Sequence, residues 1–152
     1  VDNVMSVVDF APSLLSFCQI QPSDQYDGRD LSPLWKGNKL PEKYNDIVFM
    51  RATTPKLKSD WDESATAKRT MWISAVTPDY KLTYSEYSSD VPWLTDLKKD
   101  PDELFNCYFD PAYKEIVSQL ASNLKEYGER YNDPRMHHPK IQCEISSAIL
   151  KK

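Results

Sequence analysis

The stretch from Val91 to Asn106, Val-Pro-Trp-Leu-Thr-Asp-Leu-Lys-Lys-Asp-Pro-Asp-Glu-Leu-Phe-Asn, constrains this chain more than any other. Its first half alternates as a pleated strand requires, with Trp93, Thr95 and Leu97 on one side and Leu94 and Asp96 on the other. The second half reverses the chain. Asp100-Pro101 starts a turn, because proline holds φ where the first corner needs it and aspartate accepts a bond from the backbone two residues on. Asp100, Asp102 and Glu103 are expected as turn and helix-start residues, since carboxylates favour the positive end of a helix.

More strands precede it. Met71 to Val76 and Tyr80 to Thr83-Tyr84 are β-rich runs joined by Thr77-Pro78-Asp79, a hairpin signal. Asp46 to Arg51 reads as a further strand, a nearly continuous apolar run between breakers. Residues 52–69 are rich in Lys, Asp, Thr and Ser and read as a long surface loop, with a short helix at Asp62 to Lys68.

Two helices frame the sheet. The first is expected from Asp9, which caps the opening turn where Pro12 is tolerated, with Ala11, Leu14, Leu15 and Cys18 on one core-packing face. The second opens at Asp110-Pro111 and aligns Tyr113, Ile116, Val117, Leu120, Leu124 and Tyr127, stopping at Gly128 or fraying toward Tyr131. An amphipathic helix of this kind covers one sheet face and leaves the other free to be polar. In the tail, Ile141, Cys143 and Ile145 alternate like a short strand while Pro134 and Pro139 break what precedes them, and no element is assigned. The expected fold class is α+β: a small antiparallel sheet of three to four strands packed against a long C-terminal helix, preceded by another helix.

Bulk properties narrow the function classes. With 152 residues, 40% hydrophobic and 28% charged, the chain has the size of one globular domain. A net charge of -4 with scattered Lys and Arg gives no basic face for nucleic acid. No apolar run approaches the roughly 18 residues that cross a bilayer. Cys18, Cys107 and Cys143 are too few and too far apart for a disulfide framework or a zinc site. Val1 has neither a starting methionine nor a leader, from which an internal starting point is expected.

Two strings carry a family resemblance. Leu94 to Asn106 resembles the LYDLxxDPxExxN segment near the C-terminus of sulfatases of the alkaline-phosphatase-like superfamily, matching at Asp96, Leu97, Asp100, Pro101, Glu103 and Asn106, with Thr95 in place of tyrosine. Val8-Asp9-Phe10-Ala11-Pro12-Ser13-Leu14-Leu15, then Asp27-Gly28-Arg29-Asp30-Leu31-Ser32-Pro33-Leu34 and Gly37, is similar to the family's vDlaPTLLdlaG and DGxSLxPLlxG strings. The departures are Ser13 for threonine, Cys18-Gln19 near the usual glycine, and Asp30 for serine. Asp27-Gly28 itself reads as a tight turn in which glycine takes a positive φ.

The resemblance implies a division of the chain. Residues 1–38 would end the catalytic-domain region, 39–131 would form the C-terminal sulfatase subdomain, and 132–152 remain an unassigned tail. The resemblance implies calcium and a formylglycine, made from cysteine or serine in C/S-x-P-x-R, in an N-terminal part. None of the three cysteines starts that motif, and no Asp pair reproduces the family's calcium ligands. The chain alone is expected not to be catalytic. His137-His138 is not assigned a metal or acid–base role, because adjacent histidines project apart without Cys or carboxylate partners.

Arg51, Lys56, Trp61, Arg69 and Trp72 are the candidate substrate-binding residues, since cations complement sulfate oxygens and indole faces pack on sugar rings. The implied partners are the N-terminal catalytic domain of the same protein and a sulfate-ester substrate, such as a sulfated sugar, in a periplasmic, secreted or lysosomal setting. Two alternatives stand beside this: a self-sufficient binding module, or the same region of a phosphodiesterase or phosphonate hydrolase. The first helix discriminates the module, whose own sheet would bury the helix's apolar face. An exposed face there favours a part of a larger enzyme.

Overall fold

The computed structural model describes residues 3–21, 25–39, 44–52 and 71–150. Two compact units divide the chain, Val1–Val48 and Phe49–Lys152, each described by itself.

In the first unit, α1 spans Val7–Phe17 and a single helical turn, α2, spans Ser32–Trp35. The N-cap of α1 is Ser6, so the helix starts two residues earlier than Asp9 predicts. Asp9 reaches back instead: its Oδ2 accepts the Ser6 backbone N–H at 2.9 Å. Pro12 therefore lies inside the helix, and its missing N–H leaves the Val8 carbonyl without its usual donor. Gly28 packs there. A Cβ at Gly28 would collide with the Val8 carbonyl oxygen, and its backbone does not take a positive φ. The glycine is required for close approach rather than for a left-handed turn, which falls to Gly37 at φ 76°.

Asp9 binds the two motifs of this unit together. Its carboxylate accepts the Arg29 backbone N–H at 2.8 Å and the Arg29 Nη2 at 2.7 Å. Arg29 Nη1 continues to the Asn45 carbonyl at 2.9 Å, and Ser13 Oγ accepts the Leu31 N–H at 2.8 Å. Burial opposes ionisation of Asp9, yet the Arg29 side chain and the backbone donors of Arg29 and Ser6 outweigh it and hold the carboxyl below its ordinary range.

The buried side of α1 is thus Asp9, Pro12 and Ser13. Val7 is 91% exposed, Phe10 55% and Phe17 46%, with Ala11, Leu14 and Cys18 also exposed. This corrects the expectation of a core-packing face around Ala11, Leu14 and Cys18. The polar face binds its own unit, and the apolar face is left outward.

The second unit holds a four-stranded sheet in the order β1-β2-β3-β4, with β1 Val48–Arg51, β2 Trp72–Val76, β3 Tyr80–Ser85 and β4 Trp93–Asp96. Both β2–β3 and β3–β4 pair antiparallel. Thr77 closes the hairpin, its N–H donating to the Tyr80 carbonyl at 2.8 Å and its Oγ1 accepting the Tyr80 N–H at 3.0 Å. A 3-10 turn at Pro111–Tyr113 leads into α3, Lys114–Tyr131. Another at Pro134–His137 leads into α4, Pro139–Leu150. The architecture is α+β, as expected.

Period two sorts the strands. Ile73, Ala75, Leu82, Tyr84 and Leu94 are buried and pair across the register. The helices add buried Val117, Leu120, Ala121 and Leu124 from α3, and Ile141, Ile145 and Ala148 from α4. Burying each large aliphatic stabilises by about 1.5–3 kcal/mol, so this layer dominates the unit's stability. The helix α4 corrects the strand-like reading of the tail. Positions 141, 145 and 148 repeat at helical spacing, the exposed Cys143 breaks the period of two, and Pro139 begins the helix rather than ending an element. Gly128 does not stop α3 either: a Cβ there would strike Met136, and Asn132, left-handed at φ 48°, is the C-cap.

Asp9 has a folded-state pKa below its unfolded value, so its stabilisation is present above about pH 4 and is lost as pH falls through the folded pKa. At pH 7, Asp9→Asn is expected to destabilise by about 3 kcal/mol, the order measured when one partner of a buried pair is removed. The gap between wild type and variant should close below about pH 4 in thermal unfolding. A gap that is constant with pH would assign the loss to packing instead.

Candidate functional site

The segment after β4 determines what the sheet can present. The sheet order makes β4 an edge strand. Asn106 covers that edge: its Oδ1 accepts the Leu94 N–H at 3.0 Å and the Tyr108 N–H at 3.0 Å, and its Nδ2 donates to the Pro92 carbonyl at 2.9 Å. The Cys107 N–H then donates to the Leu94 carbonyl at 2.8 Å. An asparagine amide, which both donates and accepts, substitutes here for part of a fifth strand.

Asp96 and Asp100 shape the turn that brings Asn106 back. Asp100 Oδ2 accepts the Phe105 N–H at 2.8 Å, five residues on rather than two. Glu103 adopts φ 56° and pairs with Lys81 at 2.7 Å. No helix starts at Asp102 or Glu103, contrary to the sequence expectation, because the backbone here is spent following the strand edge. Asp96 is buried and accepts from Tyr113 Oη at 2.9 Å, with Lys99 Nζ at 3.2 Å. Burial again opposes ionisation, and the Tyr113 hydroxyl together with Lys99 reverses it, so the Asp96 carboxyl sits low. The Tyr113 hydroxyl and Asp96 push the Lys99 ammonium up, which favours its protonated form. This Asp–Tyr–Lys group is a clasp between strand and helix.

The face of the sheet away from α3 carries a different chemistry. A hollow of about 550 Å³ lies on it, between the indoles of Trp72 on β2 and Trp93 on β4. Across its floor run Ser74, Lys81, Thr83 and Ser85, and Asp90 closes one side. Ser74 Oγ and Thr83 Oγ1 share a 2.6 Å hydrogen bond, and Ser85 Oγ donates to Asp90 Oδ2 at 2.8 Å. Two indoles with Thr83, Lys81 and Asp90 line a concave, amphipathic surface within the size range of ligand sites.

The sequence candidates fall in different places. Trp72 lines the hollow. Arg51 does not: it reaches Asp133 Oδ2 at 3.2 Å, on the side where its neighbour Phe49 stacks on Tyr127 of α3 at 4.3 Å. The sheet separates the two. Lys56, Trp61 and Arg69 lie outside the described residues. His137 Nε2 bonds Asn132 Oδ1 at 2.9 Å, and the His138 carbonyl accepts from Gln142 at the start of α4. Among the described residues, no three His, Cys, Asp or Glu side chains are grouped to hold a metal ion, and no helix is long and apolar enough to cross a membrane. Sequence reasoning passed over Trp93, Lys81, Thr83 and Ser85. For the three on β3 the signal was available, since the hairpin's period of two puts them on the face of Trp72, whereas Trp93 lies on β4, outside the hairpin.

This fold and surface define a domain of the α+β class, a four-stranded antiparallel sheet with a long helix packed on it. The sequence model described as N-sulphoglucosamine sulphohydrolase, C-terminal, matches residues 1–130, and the chain belongs to that family, as a C-terminal portion of sulfatase type. Arylsulfatase K of Gallus gallus is 26% identical over 152 residues, which are 100% of this chain and 26% of that protein. A solved 2-O GAG sulfatase superposes with a TM-score of 0.66 at 25% identity, covering 88% of this chain and 27% of its own. The phosphonate monoester hydrolase of Agrobacterium radiobacter shares the fold, with a TM-score of 0.63 at 23% identity over 86% of this chain and 26% of that one. The chain spans about a quarter of the length of the curated relatives it matches.

Asn106→Ala removes three hydrogen bonds and strips the β4 edge, so a loss of about 2–3 kcal/mol is expected in urea unfolding with the slope unchanged. A loss below about 0.5 kcal/mol, the level of an ordinary surface change, would show that Asn106 does not hold the edge.

Proposed function

We propose that this chain is the C-terminal subdomain of a sulfuric ester hydrolase, seated on a catalytic domain supplied by the same polypeptide and forming one wall of its substrate pocket. The observation that supports this most directly is the outward apolar face of α1. Phe10, Leu14 and Phe17 lie on exposed positions of a helix whose polar face is consumed by Arg29 and Leu31. A helix with its apolar side outward calls for a covering surface, and a relative such as Arylsulfatase K, of which the matched region is 26%, has the chain to supply one. Phe10 and Phe17 also flank Trp35, at 6.2 and 5.9 Å, which extends the apolar face beyond the helix.

Formylglycine and calcium belong to the catalytic portion in this reading, the first supplying a nucleophile and the second countering charge on the sulfate group. The described residues of this chain do not fit either, and no step is assigned to them. The chain's contribution is to bind and to orient. Trp72 offers an indole face for the organic part of the ester, and Lys56, Trp61 and Arg69 complete the proposed substrate-binding set, without Arg51, which is paired with Asp133 on the other side of the sheet. A sulfated sugar is the substrate class that the names of the relatives support, among them a Delta 4,5-hexuronate-2-O-sulfatase and an N-acetylglucosamine-6-O-sulfatase of Bacteroides thetaiotaomicron. The shared fold of a phosphonate monoester hydrolase favours a second reading, in which the same subdomain serves phosphonate ester cleavage.

The test is hydrolysis by the complete protein. Sulfate release from sulfated sugars is expected, none from residues 1–152 alone, and loss of release when Phe10 and Phe17 are both changed to Asp. Release of phosphonate but not sulfate establishes the second reading. Activity that survives the double substitution would refute the docking role of α1.

A further inference from the structure

The hollow between Trp72 and Trp93 has a charge balance that does not suit a sulfate group. Lys81 is the one cation among its described lining residues, and its Nζ lies 2.7 Å from Glu103 Oε2. Asp90 adds a carboxylate at the side. An anion placed here would meet a cation already compensated and a like charge beside it, whereas sulfate recognition needs charge-assisted donors left over. The lining suits an uncharged ligand with apolar ring faces and polar edges.

The geometry is specific enough to say more. Trp72 lies opposite Ser85 and Trp93 opposite Thr83, so the two indoles stand on either side of β3, diagonally offset. Two strand spacings separate them by about 9.6 Å across the sheet, and two residues by about 6.8 Å along it. Between them lies the half-buried Thr83, whose Oγ1 shares a 2.6 Å hydrogen bond with the fully buried Ser74 Oγ and retains a lone pair. A flat object with hydroxyls on its rim and C–H groups on its faces matches this arrangement. Trp93 is 37% exposed, so its indole is available.

We propose that the hollow is a subsite for an uncharged pyranose ring, the sugar next to the one that bears the sulfate ester to be cut. It rests on the saccharide reading above and adds residues to it: Trp93 as the second indole, and the half-buried Thr83 as the hydroxyl between the two. The subsite reads the length of the saccharide rather than its charge.

The test uses the complete protein and two substrates, a sulfated monosaccharide and a disaccharide that adds one unsulfated pyranose. Trp93→Ala should lower the preference for the disaccharide, as the ratio of kcat/KM values, by about tenfold, which is the upper range for one aromatic contact. Trp93→Phe, which keeps a ring face, should restore most of it and so separates a lost contact from a lost fold. The disaccharide preference should be insensitive to added salt, since no ion pair carries it. An unchanged ratio in Trp93→Ala, or a ratio that collapses with salt, overturns the subsite while leaving sulfate hydrolysis intact. If the protein cleaves no sulfate ester, calorimetric titration with the unsulfated disaccharide decides alone: binding lost in Trp93→Ala keeps the subsite, and absence of binding removes it.

Discussion

The exposed hydrogen-bonding edge of β4 is the constraint on which the second unit depends. An edge strand carries a row of N–H and C=O groups that must find partners or attract another chain. Here one side chain, Asn106, takes the Leu94 N–H and the Pro92 carbonyl, and the Cys107 N–H takes the Leu94 carbonyl. For Asn106 to arrive, the chain must turn sharply after Asp96, and three acidic residues of the turn hold it in place. Asp100 receives Phe105, Glu103 anchors on Lys81, and Asp96 fastens to Tyr113 ahead of α3. The same turn therefore closes the sheet edge and aims the long helix at the apolar face. The residues that make the motif recognisable are structural throughout.

The first unit solves a related problem with one carboxylate. Asp9 must leave water to organise the unit, which costs several kcal/mol unless bonds replace the hydration. Arg29 and the backbone of Ser6 supply them, and the guanidinium extends the connection to Asn45 and Ile47. Gly28 lets the strand of chain bearing Arg29 lie against the helix, at the carbonyl that Pro12 has left free. With the polar side of α1 committed in this way, its hydrophobic residues are left largely exposed, and Phe10 and Phe17 meet only the partly exposed Trp35.

Local rules made much of this legible. The hairpin at Pro78-Asp79 and the amphipathic register of α3 each follow from a single period, and the structure repeats them. What escaped were features in which one period imitates another, or a glycine answers to a distant neighbour. Ile141, Cys143 and Ile145 satisfy a strand pattern, and only the burial of Ala148 and exposure of Cys143 reveal the helix. Gly28 and Gly128 look like turn and stop signals, yet each is small because another segment lies against it, a fact absent from local sequence. The candidate site was half visible. Trp72 stood out as an aromatic in a strand, but Trp93 was read only as part of a motif, because nothing local says that the two indoles share a face.

The contrast between the unit's two sheet faces bears on how such a domain can vary. The face under α3 and α4 is a packed layer in which a change of one methylene is felt, so its residues are confined by volume. The opposite face joins buried hydroxyls, Ser74 bonded to Thr83 and Ser85 bonded to Asp90, to the partly exposed Trp72, Thr83 and Trp93. Its partly exposed side chains are less confined by volume than the packed layer. A fold built this way can keep its edge and its helix while the exposed part of that face varies. That is the physical reason one backbone can be shared by sulfatases and a phosphonate monoester hydrolase.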